Sequence, residues 1–278
     1  MKFRRSERLI DMTNFLLHHP RQLIPLTVFA ERYRSAKSSI SEDLAIIKEV
    51  FEERGIGTLQ TVAGAAGGVK YQAFVSKDEA RSFISELCET ITDPARLLPG
   101  GYLYLTDILG DPMIVQKVGK MIAAAFIDKD IDVVMTIATK GIPLAYGVAN
   151  YLNVPVVIVR NDNIVTEGST VSINYVSGST KRIQTMVLSK RSLSEGSKVL
   201  IIDDFMKAGG TINGMINLLE EFQAQLAGIA VLVEAEKAEE RLVEDYLSLI
   251  KLSNVDLKQK QISVSEGNYF SKGNTSYS

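Results

Sequence analysis

Two adjacent carboxylates, Asp203 and Asp204, close the apolar run Val199–Ile202 and are followed at once by Phe205, Met206, Lys207, Ala208, Gly209, Gly210 and Thr211. The run has the length of a buried strand, and Thr211 to Gln223 repeats apolar side chains at helical spacing. Paired carboxylates at a strand end repel each other unless they are solvated, bound to a metal or hydrogen-bonded to hydroxyls. A ribose diol offers such hydroxyls. The turn from Lys207 leads into a helix start, where unpaired N–H groups and the helix dipole favour a phosphate. Gly209 and Gly210 let the backbone wrap closely, Thr211 adds a hydroxyl and Lys207 a charge. VLIIDDFMKAGGT therefore reads as a binding loop for a phosphorylated ribose, set against the plainer reading of a capped strand-to-helix turn.

Thr139, Lys140 and Gly141 form a second turn after the run Val133–Ala138 and ahead of a helix that Pro143 helps to start. Its lysine and glycine suit a second phosphate or a diphosphate, although taken alone a turn explains them equally well. Between Asn161 and Lys190 lies a long polar stretch with Tyr175, Lys181 and Arg182 near its middle. It is expected to be a protruding hairpin serving as a mobile cover over the phosphates.

Apolar runs at Val133–Ala138, Val154–Arg160, Val199–Asp203 and Ile229–Glu234 must position these loops. They alternate with helical patterns at Pro112–Ile127, Ile142–Leu152 and Thr211–Gln223, which predicts a parallel sheet covered on both faces. Ligands then bind beyond the carboxyl ends of the strands. Tyr102–Leu109 is expected as a further strand, Ser76 as the cap of a helix running to Ile91, and the final GNYFSKGNTSYS as disordered.

The first 74 residues follow another pattern. Ser6–Leu17 and Leu26–Tyr33 are amphipathic helices, Ser38 is expected to cap a third running to Gly55, and Thr58–Val62 and Val69–Val75 flank a Gly/Ala tip as a hairpin. Helices in helix-turn-helix order followed by a hairpin make a winged helix. This part carries 11 Lys+Arg against 8 Asp+Glu, whereas the remainder carries 20 against 25, so the positive part is the one suited to a polyanion. Arg34, Lys37, Ser38, Ser39 and Ser41 surround the start of the third helix, where recognition helices meet bases and phosphates. Arg4, Arg5 and Arg8 on or before the first helix and Lys70 and Tyr71 on the hairpin are expected to hold DNA backbone. The alternative is that the serines are caps and the arginines a solvated face.

Composition narrows the chemistry further. The only histidines are the adjacent His18 and His19, and Cys88 is the single cysteine, so a Ser-His-Asp or Cys-His centre in the body of the chain and a histidine-rich zinc site are excluded. A lone cysteine forms no internal disulfide, and no apolar stretch approaches the roughly 20 residues of a membrane span, so a cytoplasmic location is expected.

With those residues in view, VLIIDDFMKAGGT resembles the phosphoribosyl pyrophosphate (PRPP) motif of type I phosphoribosyltransferases, and ATKGIP with the long hairpin resembles that family's diphosphate and flexible loops. Joined to the winged helix, the chain resembles the purine operon repressors of Gram-positive bacteria over essentially its whole length. The resemblance implies a winged helix-turn-helix domain over residues 1–74 and a phosphoribosyltransferase-like α/β effector domain over residues 75–278, assembled as a homodimer on double-stranded operator DNA. It implies that Asp203 and Asp204 hold the ribose hydroxyls, Lys207–Thr211 the 5-phosphate and Thr139–Gly141 the diphosphate, with Mg2+ carried by the ligand. PRPP would be the inducer, in competition with purine nucleotides. Lys207 stands where the enzymes have small or hydroxyl residues, and Phe205 and Met206 are bulky beside the expected base position, which argues for binding without turnover. Two alternatives remain: an active purine phosphoribosyltransferase with a regulatory amino-terminal domain, and a winged helix that binds protein rather than DNA.

Overall fold

The computed structural model describes residues 3–64, 67–162, 168–176, 182–236 and 241–273. Helices α1 (Arg5–His18), α2 (Leu26–Tyr33) and α3 (Lys37–Glu53) pack through Met12, Leu16, Phe29, Tyr33, Ile40, Leu44, Ile47 and Phe51. Those residues recur at three- and four-residue intervals, so each helix presents one apolar stripe. A three-stranded sheet completes the unit, in which β1 (Ile24–Pro25) and β2 (Thr58–Val62) flank β3 (Gly68–Gln72). The winged-helix pattern is thus realised, with one correction. Ala36 occupies the cap position of α3, and Ser38 sits exposed inside its first turn rather than capping it.

Helix α4 (Lys77–Ile91) starts on Ser76, whose hydroxyl accepts the Glu79 N–H at 3.2 Å. Beyond it, β4 (Leu97–Leu98) and β5 (Tyr102–Leu103) make a short hairpin turning through Gly100 and Gly101, both at positive φ. Tyr102–Leu109 is therefore not one strand. Arg96 takes both carboxylate oxygens of Asp107 at 2.7 and 2.6 Å, and that fork pins the first turn of α5 (Thr106–Gly110) where a strand was expected.

The large sheet has strand order β13-β12-β11-β10-β6-β7, built from β6 (Val133–Ile137), β7 (Val156–Val159), β10 (Lys198–Met206), β11 (Gln225–Ala235), β12 (Leu247–Asp256) and β13 (Gln261–Glu266). All its pairs are parallel except β12 with β13. Alternate residues divide two cores. Val134, Leu200, Ile202, Ala230 and Leu232 face α4, α6 (Pro112–Ala125) and α7 (Ile142–Leu152). Val133, Met135, Val199, Ile201 and Val231 face α8 (Gly210–Glu221) and the hairpin of β8 (Thr170–Val176) and β9 (Ile183–Ser189). The carboxyl-terminal residues correct an expectation: α9 (Tyr269–Lys272) is ordered, and Tyr269 is buried with its hydroxyl donating to the Met121 carbonyl at 3.4 Å. Residues 274–278 lie outside the described residues.

Candidate functional site

The apolar strand β10 continues to Met206, so Asp203 and Asp204 lie within it rather than after it. Asp203 is 5% exposed, and its Oδ1 accepts the backbone N–H of Asp204 at 3.0 Å. Burial raises both carboxyls, Asp203 well above its ordinary value with the neighbouring Asp204 carboxylate adding to the rise, while the hydrogen bond with Asp203 and then the Lys140 charge draw Asp204 part of the way back. The cluster is thus an acidic pair, Asp203 buried and Asp204 half-buried, faced by the Lys140 cation from a neighbouring loop.

Past Met206 the chain turns through Lys207 and Ala208 into Gly209, which caps α8 in the left-handed conformation at φ 84°. A side chain there would be strained by its backbone and would stand 3.0 Å from Val243. Helix bonding begins with Asn213 N–H to the Gly209 carbonyl at 2.8 Å. The N–H groups ahead of it, at Gly210, Thr211 and Ile212, are the helix-terminal donors that suit an anion.

Thr139, Lys140 and Gly141 connect β6 to α7, and the Ala138–Thr139 peptide is cis. Gly141 is buried. A Cβ on it would run into the Thr136 hydroxyl and approach Asp203 Oδ1 at 3.4 Å, so the loop lies directly against the acidic pair. Thr136 itself is fully buried on β6, and its hydroxyl finds no hydrogen-bond partner among the described residues.

These pieces open on one cavity of about 900 Å³, lined by Lys140, Asp203–Thr211, and a wall that sequence reasoning missed. That wall comprises Pro99–Leu103 from the β4–β5 hairpin and Leu252–Val255 from β12, with Tyr102 standing 61% exposed. The Pro-Gly-Gly turn before Tyr102 was its only local signal.

Other expected site residues are placed differently. Met206 lines the cavity but is 2% exposed and packs in the core with Met135 and Ile201; the strict alternation of β10 breaks across Asp203 and Asp204, so that Met206 joins the Ile201 face and Phe205 the Ile202 face. Tyr175 does not line the cavity. Its ring lies over Gly214 of α8, and its hydroxyl donates to Gln184 at 2.7 Å. Burial raises that phenol's pKa, with the Thr211 hydroxyl and Asp203 close enough to act on it. The described part of the β8–β9 hairpin thus packs on α8 instead of covering the loops; Arg182 is exposed at its edge, and Lys181 lies outside the described residues.

On the winged helix, Arg34, Lys37, Ser38 and Ser41 are exposed and Ser39 half-buried around the start of α3, and Arg4 is exposed ahead of α1. Arg5 and Arg8 both donate to Asp43, which is completely buried, and Arg8 also donates to the Ser35 hydroxyl at 3.2 Å. Arg8 is therefore spent within the domain. Tyr71 is 2% exposed and donates to the Ile56 carbonyl at 3.0 Å, a core residue rather than a DNA contact. Lys70 borders a cleft of about 350 Å³ between the winged helix and the second domain, together with Arg21 and Lys77, which turns it from the outer face of the wing. Among the described residues, no group of three His, Cys, Asp or Glu side chains is placed to hold a metal, and no helix is long and apolar enough to cross a membrane.

A winged helix joined to a sheet whose strand ends carry two phosphate-type loops defines a DNA-binding regulator with a phosphoribosyltransferase fold. Residues 4–73 match the family model for the amino-terminal domain of the bacterial purine repressor, and residues 105–266 match that for the phosphoribosyl transferase domain. The purine biosynthesis transcriptional repressor PurR of Bacillus subtilis (strain 168) is 67% identical over 97% of this chain and 94% of its own. A probable purine biosynthesis transcriptional regulator PurR of Streptococcus pneumoniae serotype 4 is 53% identical over 97% of this chain and 98% of its own. The adenine phosphoribosyltransferase of Thermoanaerobacter pseudethanolicus superposes with a TM-score of 0.53 at 23% identity, covering 60% of this chain and 98% of that one, which is a likeness of fold. The chain belongs to the purine repressor family: it is a DNA-binding transcriptional regulator rather than an enzyme.

Proposed function

We propose that the chain acts as a cytoplasmic homodimer that represses purine biosynthesis genes at double-stranded operator DNA, and that PRPP, carrying Mg2+ and in competition with purine nucleotides, binds the strand-end cavity and relieves repression. The supporting observation is the convergence of the acidic pair of buried Asp203 and half-buried Asp204, the left-handed Gly209 turn into α8, and the Lys140 loop on one cavity. In this reading Asp203 and Asp204 accept the ribose hydroxyls. The N–H groups from Lys207 to Thr211 cradle the 5-phosphate at the start of α8, and Thr139–Gly141 meet the diphosphate with its metal. Phe205 and Tyr102 are large neighbours for a base.

Relief of repression is a linkage effect. Moving the protein from 99:1 to 1:99 between DNA-competent and incompetent states requires about 5.5 kcal/mol of differential ligand binding. Operator binding is to be titrated with and without PRPP in the wild type and in Asp204→Ala. The variant is expected to bind DNA normally and to lose the response; a full response in it would move the sensor elsewhere. A parallel assay of PRPP with adenine, guanine, hypoxanthine and xanthine is expected to give no turnover.

A further inference from the structure

Glu234 on β11 pairs across the sheet with Met206, the last residue of β10 before the glycine turn. Its buried carboxylate is fully engaged. Oε2 accepts from Arg241 Nη1 at 2.9 Å and from the Tyr246 hydroxyl at 2.5 Å, and Oε1 accepts from Ser248 Oγ at 2.6 Å. Arg241 also donates through Nη2 to the Ala235 carbonyl at 2.6 Å and through Nη1 to the Tyr246 hydroxyl, with its guanidinium over the Tyr246 ring. Asn268 closes the network, donating its N–H to Ser248 Oγ at 3.1 Å and its side-chain amide to the Tyr246 carbonyl at 2.9 Å. A buried carboxylate so completely satisfied, with one cation and two hydroxyls, is stiff, because any displacement leaves a charge unpaired.

Glu234, Arg241, Tyr246, Ser248 and Asn268 do not line the cavity, which the network reaches at Ala235, but they anchor both ends of the segment Arg241–Tyr246, and that segment runs behind the glycine turn. Leu242 N–H donates to the Ala208 carbonyl at 2.9 Å, and the buried Val243 stands where a Gly209 side chain would be. A carbonyl swung into the cavity would repel a phosphate. The bond from Leu242 ties the Ala208 carbonyl back and holds the loop in the state that offers its N–H groups.

We infer that Arg241 and Glu234 are positioning residues for the phosphate loop: they hold residues 241–246 against Ala208 and Gly209 without touching the ligand. The inference rests on reading Lys207–Thr211 as the 5-phosphate cradle. It separates the two ends of the ligand, because the brace backs the loop before α8, and among the described residues its hydrogen bonds and ion pair go to Ala235, Tyr246 and Ser248 rather than to the Thr139–Gly141 loop.

The test uses full-length protein, with ribose 5-phosphate and inorganic pyrophosphate titrated separately by calorimetry. Arg241→Met is expected to weaken ribose 5-phosphate at least about tenfold and to leave pyrophosphate within about twofold. Because that variant strands the Glu234 carboxylate, the double variant Arg241→Met/Glu234→Met, which buries an apolar pair instead, is measured beside it, with its melting temperature. A double variant that melts near the wild type yet loses ribose 5-phosphate selectively supports the brace. Wild-type affinity for ribose 5-phosphate in the double variant overturns it, as does equal weakening of both ligands. If wild-type protein ignores ribose 5-phosphate while binding pyrophosphate, the cradle reading fails, and the brace with it.

Discussion

Lys120, on α6 of the second domain, donates its ammonium to the carbonyl of Gly55, two residues beyond the end of α3 in the winged helix. Its side chain is only 12% exposed, and Glu79 at 3.8 Å partly offsets its burial. The neighbouring Gly119 packs so closely on α7 that a Cβ there would strike the backbone of Gly147, and α7 begins at the Gly141 loop. Backbone contact leaves little side-chain freedom to absorb a shift, so a movement of the Thr139–Gly141 loop is expected to pass through α7 and α6 to Lys120.

Lys120→Met is therefore expected to retain PRPP affinity while PRPP weakens DNA binding less than in the wild type, by a factor of about five, or roughly 1 kcal/mol of coupling. Operator titrations at zero and saturating PRPP measure it. An undiminished response would remove Lys120 from the route.

Asp43→Ala should disable the DNA-binding domain from within. Its carboxylate is fully buried between Arg5 at 3.0 Å and Arg8 at 2.5 Å, and removing one partner of a buried pair costs about 3–5 kcal/mol. Hydrogen exchange resolves the two domains separately: amides of α1 and α3 are expected to lose protection while those of β10 and β11 keep theirs. Unchanged protection in α3 would mean that Asp43 contributes little.

The extent to which this was legible in the sequence follows from the range of each interaction. Ile142–Leu152 stands as read, and the acid pair followed by Lys-Ala-Gly-Gly-Thr gave the glycine turn, because helical period and cap chemistry are local. Arg8 and Tyr71 were misread as DNA contacts because what buries them, Asp43 and Ile56, is 35 and 15 residues away in sequence. Strands β12 and β13 went unassigned, and with them the Leu252–Val255 wall. Their mixed patterns make sense only once β12 is paired on both sides, with β11 and β13, and β13 closes the sheet as its antiparallel edge. Glu234 read as the polar end of a strand, and nothing in its vicinity signalled that Arg241, Tyr246 and Ser248 converge on it.

The same reassignment sharpens the expected DNA interface. Lys37 is exposed at the first turn of α3, so Lys37→Ala is expected to weaken DNA binding about evenly across sequences and to reduce the slope of log affinity against log salt by about 1. Tyr71→Phe loses only the bond to Ile56 and should leave that slope unchanged while lowering stability by about 1 kcal/mol. A salt slope altered by Tyr71→Phe would return that residue to the interface.

The acidic pair predicts a pH dependence of definite sign. Burial raises both Asp203 and Asp204, and their mutual repulsion adds to the rise at Asp203, so the folded apo protein holds a proton at pH values where the unfolded chain has released it. That contribution to stability is fully present below the unfolded carboxylate value of about 3.9 and is lost as pH rises through the raised folded value. Ribose hydroxyls and a metal-laden diphosphate favour the ionised pair, so PRPP binding is expected to expel a proton and to tighten as pH rises over the same window. Calorimetry in buffers of different ionisation heat counts the protons, and Asp203→Asn, which cannot ionise, should flatten the profile. Binding with no proton release, or a profile unchanged in Asp203→Asn, would mean that the pair already meets the ligand in its charged form.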